Sequence, residues 1–523
     1  MRCLLIFIML HLAMPAFASV TAKNGMVVSE HHLATQAGVD VLAQGGNAID
    51  AAVAVGYALA VVNTCCGNIG GGGFMTIHLA NGQNIALNFR EKAPLKASST
   101  MYLDKNGQLK ANASTNGYLA VAVPGTVLGF ETALKRYGTM TRKQVMRPAI
   151  RLAKNGYAIG AYEANQLIDY ASDFRQQPNI AAIFLNHGQP LKTGDRLVQT
   201  NLANTLTLIA EEGANAFYRG PIAQQIIKAS DAHGGVLSLA DFEQYTVETL
   251  TPVTCDYRGY TLISSPPPSS GGTTLCDMLT TLAKSTSMQT EKQPADKIDA
   301  ILKAMAAGFI KRNQDTKRSP LDTRMHELTD TTHYSIIDKY GNAVAVTYTL
   351  NGLFGAGVIA GDTGFFLNNE MDDFTTLLGT ANKFGLVQPQ TNAIEPGKRP
   401  LSSMTPTLVM KNNRLYMIIG SPGGPRIITA VLLTLLHVID DHMTLEAAVN
   451  APRYHFQVIP DTVDIEPNTF TPSLLNTLRQ RGYRFKESGT WSAVEAIMID
   501  PRNGTQIGVN DYRRPDGLAA GIK

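Results

Sequence analysis

Helical and strand-like stretches come in blocks along this 523-residue chain rather than in strict strand–helix–strand alternation. That ordering favours an α+β fold, with antiparallel sheets and helices layered over them, over a doubly wound parallel sheet. The helical blocks are His32 to Ala43, stopped at Gly45-Gly46, then Ala48 to Val62, then most of 124 to 230, with stops at Gly138, Gly156 and Gly213. Ala48 to Val62 is rich in Ala and Gly, so it belongs in a closely packed interior. Phe74 to Ala80 and Asn84 to Phe89 read as a hairpin turning at Asn81-Gly82. Tyr257 to Ile263 reads as one strand running into the rigid turn Ser264–Gly272. A helix carries Ile298, Ile301, Leu302, Met305 and Phe309 on one stripe, and Arg312 to Asp330 reads as an exposed connector. Beyond it lie the strand pairs 332–337 with 343–350 and 407–410 with 415–419, then an apolar helix from Pro425 to Ile439.

The first residues bear on compartment. Arg2, an apolar run from Leu4 to Met14, and Ala16-Phe17-Ala18 form a secretory signal peptide, with cleavage expected after Ala18. The rival reading, an uncleaved anchor, needs a longer run. No later stretch reaches spanning length, so the mature chain is expected in the periplasm or outside the cell, without a membrane span. Cys65 and Cys66 are adjacent and do not easily bridge each other. A Cys255–Cys276 bridge and a pair of buried free thiols fit equally well.

Charge and motif arguments remove several classes. Lys plus Arg is 45 against 42 Asp plus Glu, which lacks the basic bias of a nucleic-acid binder. His326-Glu327 lacks the second His of a zinc-protease helix, Gly70–Gly73 lacks the Lys of a phosphate loop, and Gly355–Gly361 misses the dinucleotide spacing. The histidines are scattered, so neither a metal nor a cofactor is expected.

One segment carries chemistry. Asp330-Thr331-Thr332-His333-Tyr334-Ser335 joins a polar connector to a strand, and Thr347, Thr349 and Asn351 repeat along one face of the next. Asn368–Asp373, Ser402-Ser403 and Gly420-Ser421-Pro422-Gly423-Gly424 follow in order. With Gly46–Ala52, Gly67–Phe74, Phe89–Pro94 and Pro124-Gly125-Thr126, these pieces resemble the γ-glutamyltranspeptidase family of N-terminal-nucleophile hydrolases over most of the mature chain. The connector before Thr331 is shorter than is usual in that family, with Lys311-Arg312-Asn313 where an Asp-Arg and a Gly-Asp-Pro segment are common.

The resemblance implies a four-layer αββα sandwich made as one precursor. Self-cleavage between Asp330 and Thr331 would leave a large subunit, 19–330, and a small one, 331–523, joined as an intertwined heterodimer. Thr331 would be the nucleophile, its freed α-amine the general base, and Thr349 its orienting partner. Gly423 and Gly424 would form the oxyanion hole at the start of the apolar helix. Arg90, Ser402 and Ser403 would hold the carboxylate of a γ-glutamyl substrate such as glutathione, and Asn351, Glu370 and Asp373 its ammonium. Water, an amino acid or a peptide would resolve the acyl-enzyme. The interval 374–402, with Phe384 as an aromatic tip, reads as a lid or a plain surface loop. A glutaryl (cephalosporin) acylase and a catalytically dead exported binding protein are the rivals.

Overall fold

A computed structural model describes residues 19–288, 293–313 and 330–523. The signal-peptide reading of 1–18 and the connector residues 314–329 lie outside them.

Two seven-stranded sheets organise the chain. In one, the strands run in the order Leu518–Gly521, Gly25–Ser29, Thr332–Asp338, Ala343–Thr349, Gly72–His78, Asn84–Asn88, Glu248–Leu250. In the other the order is Val20–Ala22, Gln506–Asn510, Glu495–Ile499, Arg414–Gly420, Thr407–Lys411, Tyr260–Ser264, Val253–Tyr257. Every pairing in both is antiparallel. An apolar layer forms between the two sheets, with Met26, Val28, Ile337, Ala343 and Ala345 from one and Ile263, Leu408, Met410, Ile418 and Ile497 from the other. Helices His32–Ala43 and Ala48–Val62 pack on the first sheet, and Gly271–Ala283 and Arg426–Ile439 on the second.

The helix Ala48–Val62 explains why its sequence is so small and apolar. All of its residues are buried. Its start is fixed by a reciprocal cap: the Asn47 side chain accepts the Ile49 and Asp50 N–H groups, and Asp50 accepts the N–H of Asn47 at 2.8 Å. A Cβ at Gly56 would lie 2.3 Å from the Phe130 ring and 2.7 Å from the Tyr334 hydroxyl, so Gly56→Ala overpacks the core by about 1–3 kcal/mol. The close approach seats this helix directly over the strand that begins with Thr332.

Three expectations change. Tyr257 to Ile263 is not one strand: the chain reverses at Arg258-Gly259, both with positive φ, and Val253–Tyr257 pairs with Tyr260–Ser264. Cys65 and Cys66 are bonded to each other despite their adjacency, and Cys255 is bonded to Cys276. Asp330 is fully buried rather than exposed.

Candidate active site

Thr331 stands at the mouth of strand Thr332–Asp338, a strand paired on both edges. Its hydroxyl donates to Thr349 Oγ1 at 3.1 Å, and Thr349 Oγ1 also accepts the Asn351 N–H at 2.9 Å. The carbonyl of the preceding residue, Asp330, accepts the Gly423 N–H at 3.0 Å. Thr331 has φ +88°. A β-branched residue rarely enters that region, so backbone strain sits at the Asp330–Thr331 bond. A hydroxyl, a polarised carbonyl and a strained peptide therefore meet within two residues.

Gly423 has φ +117°, and a Cβ there would lie 2.1 Å from Ser492 Oγ, so only glycine brings its N–H to the Asp330 carbonyl. Gly424, at φ +56°, faces the Phe384 ring. Helix Arg426–Ile439 starts immediately afterwards, which adds the positive end of its dipole to this corner. Thr347, grouped with Thr349 and Asn351 on the sequence pattern, instead meets the His333 ring at 2.8 Å. Burial pushes that imidazole down to about 3, so it is a neutral brace beneath Thr331. Asn351 lies past the strand end at φ +75°, and its side chain donates to the Asn369 carbonyl at 3.0 Å.

The second half of the site is a charge cluster. Arg90 has no exposed surface, which excludes a surface pair with Glu91. Its guanidinium donates to Glu370, to Asp373 at 2.6 Å, and to the Pro400 and Leu401 carbonyls at 3.3 and 3.1 Å; Glu91 lies 3.7 Å away. Burial alone would lower the Arg90 guanidinium, but Glu370, Asp373 and Glu91 outweigh it and hold the charge firmly. The acids are in surplus, three to the two guanidiniums of Arg90 and Arg312. Burial, only partly opposed by Arg90, therefore raises Glu91 to about 7 and Glu370 well above the usual carboxylate range. A cationic group entering here would relieve that surplus.

Ser402 and Ser403 complete the wall. The proline-rich turn braces them: Ser402 N–H donates to the Pro268 carbonyl at 2.9 Å, and Ser270 N–H to the Ser402 carbonyl at 2.8 Å. Arg312 donates to Ser270 Oγ at 2.8 Å and to Ser403 Oγ at 3.4 Å. Burial lowers its guanidinium to about 10, with Asp373 partly offsetting.

One pocket gathers Arg90, Thr331, Thr349, Asn351, Glu370, Asp373, Ser402, Ser403 and Gly424. Gly423 does not line it; its N–H is held on the Asp330 carbonyl. The pocket also holds Arg312, Leu386, Met404, Pro425 and Ile427, which the sequence did not single out, and Phe384 from the 374–402 interval. Free space is about 20 Å³, room for a single water. No sequence signal distinguished Arg312 from the polar stretch beginning there; only its helical phase, three residues after the buried Phe309, hinted at an inward position.

A γ-glutamyltranspeptidase family model matches residues 34–329 and 314–521. The glutathione hydrolase proenzyme of Pseudomonas sp. (strain A14) is 46% identical, over 96% of this chain and 95% of that protein. That of Escherichia coli (strain K12) is 41% identical, over 97% of this chain and 93% of the other. Among solved structures, the crystal structure of a cephalosporin acylase from Bacillus halodurans superposes with a TM-score of 0.84 at 25% identity, covering 99% of this chain and 100% of that one.

Proposed function

The chain belongs to the γ-glutamyltranspeptidase family, and from that premise we propose that it is an exported, self-processing enzyme that cleaves glutathione and other γ-glutamyl amides. One observation carries the reading. Thr331 Oγ, oriented by Thr349, adjoins the Asp330 carbonyl, which Gly423 N–H polarises across a strained peptide.

Maturation follows from that geometry. Thr331 Oγ attacks the Asp330 carbonyl carbon; the new C–O bond forms, the C–N bond breaks, and the Thr331 nitrogen takes up the hydroxyl proton. Water then hydrolyses the ester, leaving Asp330 as a carboxylate and Thr331 as a free amine. Such an amine has a pKa of about 7.7–8.0, so near neutrality a useful fraction is unprotonated and can serve as base for its own hydroxyl. Before the cut that nitrogen is an amide and cannot. Self-cleavage thus yields the large subunit 19–330 and the small subunit 331–523.

In turnover the Thr331 hydroxyl attacks the γ-carbonyl, and Gly423 and Gly424 stabilise the oxyanion. The amine leaves with a proton, and water or an amino acid or peptide acceptor resolves the γ-glutamyl ester. Asn351, Glu370 and Asp373 take the substrate ammonium, which the acid surplus favours; Arg90, Ser402 and Ser403 take its carboxylate. The surplus also argues against the glutaryl acylase reading, because a glutaryl group brings no ammonium. Intact Thr331, Thr349, Gly423 and Gly424 argue against a dead binding protein.

The apolar layer between the sheets and the helices outside them support reading the fold as a four-layer αββα sandwich. The charged-then-apolar start ending in Ala16-Phe17-Ala18 supports export to the periplasm or beyond. Among the described residues, no helix is long and apolar enough to cross a membrane. Intact-mass measurement of purified protein tests the proposal: two chains meeting at 330/331 and a γ-glutamyl adduct on the smaller one are expected. Thr331→Ala should leave one uncut, inactive chain. Cleavage elsewhere, or an adduct on another residue, overturns it.

A further inference from the structure

The tip of the 374–402 loop does more than cover the pocket. Three consecutive side chains reach three parts of the site: Asn382 donates to Asp373 at 3.1 Å, Lys383 Nζ pairs with the Asp330 carboxylate at 2.9 Å, and Phe384 lies over Gly424. The Lys383 backbone is itself held, its N–H donating to Asp372 at 2.9 Å. Asp330 is fully buried, and among the described residues Lys383 is its one ion-pair partner; the other carboxylate oxygen, Oδ1, has no hydrogen bond.

A buried carboxylate with a single cationic partner depends on that partner. Asp330 is also the residue whose carbonyl must sit on the Gly423 N–H for the cut to occur. Its side chain and carbonyl leave the same short stretch of backbone, so the lysine that anchors one fixes the direction of the other. Without Lys383 the carboxylate loses its anchor and turns toward other partners, and the backbone that carries the carbonyl turns with it.

We propose that Lys383 is a positioning residue for self-cleavage, acting through Asp330 to hold the scissile carbonyl on the Gly423 N–H. This rests on the self-processing reading above. It assigns the loop tip a function in the uncut precursor, before any substrate is present. When the cut is made, Asp330 becomes a chain end, and the loop tip loses a covalently held partner.

The test follows the rate at which freshly folded precursor converts to two chains, by gel and intact mass. Loss of an oxyanion donor slows reactions by about 10²–10³-fold. Lys383→Met, which misaligns rather than removes the donor, should slow conversion by at least about tenfold, and Lys383→Arg should stay within about threefold of wild type. Adding Asp330→Asn to Lys383→Met should recover most of the loss, because no unpaired charge is left. If Lys383→Met does not fold, Lys383→Gln, slowed by a similar factor, decides in its place. Wild-type conversion rates in the Met or Gln variant, or an effect that simply adds to that of Asp330→Asn, overturn the proposal. A wild-type protein that never cuts at 330/331 would instead overturn the self-processing reading beneath it.

Discussion

Thr349→Val removes one oxygen and nothing else of consequence. Valine matches threonine in shape, and the site is 2% exposed, so no cavity opens. Two bonds are lost: Thr331 Oγ loses its acceptor at 3.1 Å, and the Asn351 N–H loses its own at 2.9 Å. A buried donor left unsatisfied costs about 1–3 kcal/mol. At about 1.36 kcal/mol per decade, freeing the nucleophile from its productive orientation should slow the reaction by about 5- to 150-fold. The slowing should appear twice, since the same hydroxyl is proposed to act in maturation and in turnover. The assay is a time course of chain cleavage, followed by initial rates on glutathione normalised to exposed N-terminal threonine. Thr349→Ser keeps the oxygen and should lie within about threefold of wild type. If Thr349→Val cuts and turns over at wild-type rates, Thr349 does not orient the nucleophile and the reasoning fails.

Three other perturbations probe separate parts of the molecule. Asp373→Asn should leave cleavage intact but raise the KM for glutathione by about 10- to 100-fold, by the loss of a charged hydrogen bond to the ammonium; an unchanged KM would remove that role. Burial raises Glu163 to about 8, against the hydrogen bonds it receives from Tyr157 and Thr64, so the folded state keeps a proton that the unfolded state releases above about 4.5. Its contribution is full below that pH and is lost at about 1.4 kcal/mol per pH unit until about pH 8; melting curves of Glu163→Gln should decline less steeply over that window, and a parallel decline would count against it. Cys255→Ser opens a bridge spanning a sequence separation of 21, which should cost about 3 kcal/mol, read as a lowered Tm that reductant changes less than it does the wild type's. A wild-type Tm insensitive to reductant would argue that the bond contributes little.

How much was legible in the sequence depended on whether the signal was local. The helices His32–Ala43 and Ala48–Val62 announce themselves by caps, glycine stops and composition, and their bounds match the structure. Each residue singled out for the site lies in a short distinctive run, and most of them line one pocket, although Thr347 shows that sharing a strand face with Thr349 does not mean sharing its chemistry. Strands Val20–Ala22 and Gly25–Ser29 went unread because their partners, Gln506–Asn510 and Leu518–Gly521, lie at the far end of the chain. Thr332–Asp338 is buried on both faces, so alternation could not orient it. Asp330 looked exposed for a similar reason: it follows a polar stretch, and the lysine that makes its burial tolerable lies beyond two further strands and a turn. Cys65–Cys66 was missed because adjacency was taken as a bar to bonding.

The strand order has a consequence for what happens after the peptide is severed. In the sheet that holds Thr331, strand Gly25–Ser29 lies between Leu518–Gly521 and Thr332–Asp338, so a strand from upstream of the break is clasped by two from downstream. The products cannot drift apart without tearing open a sheet, and the break therefore costs the native protein little. In the melted state the same break matters: the uncut chain can refold alone at any dilution, whereas the severed pair must first collide. Heat unfolding should then be reversible in the first case and concentration-dependent in the second.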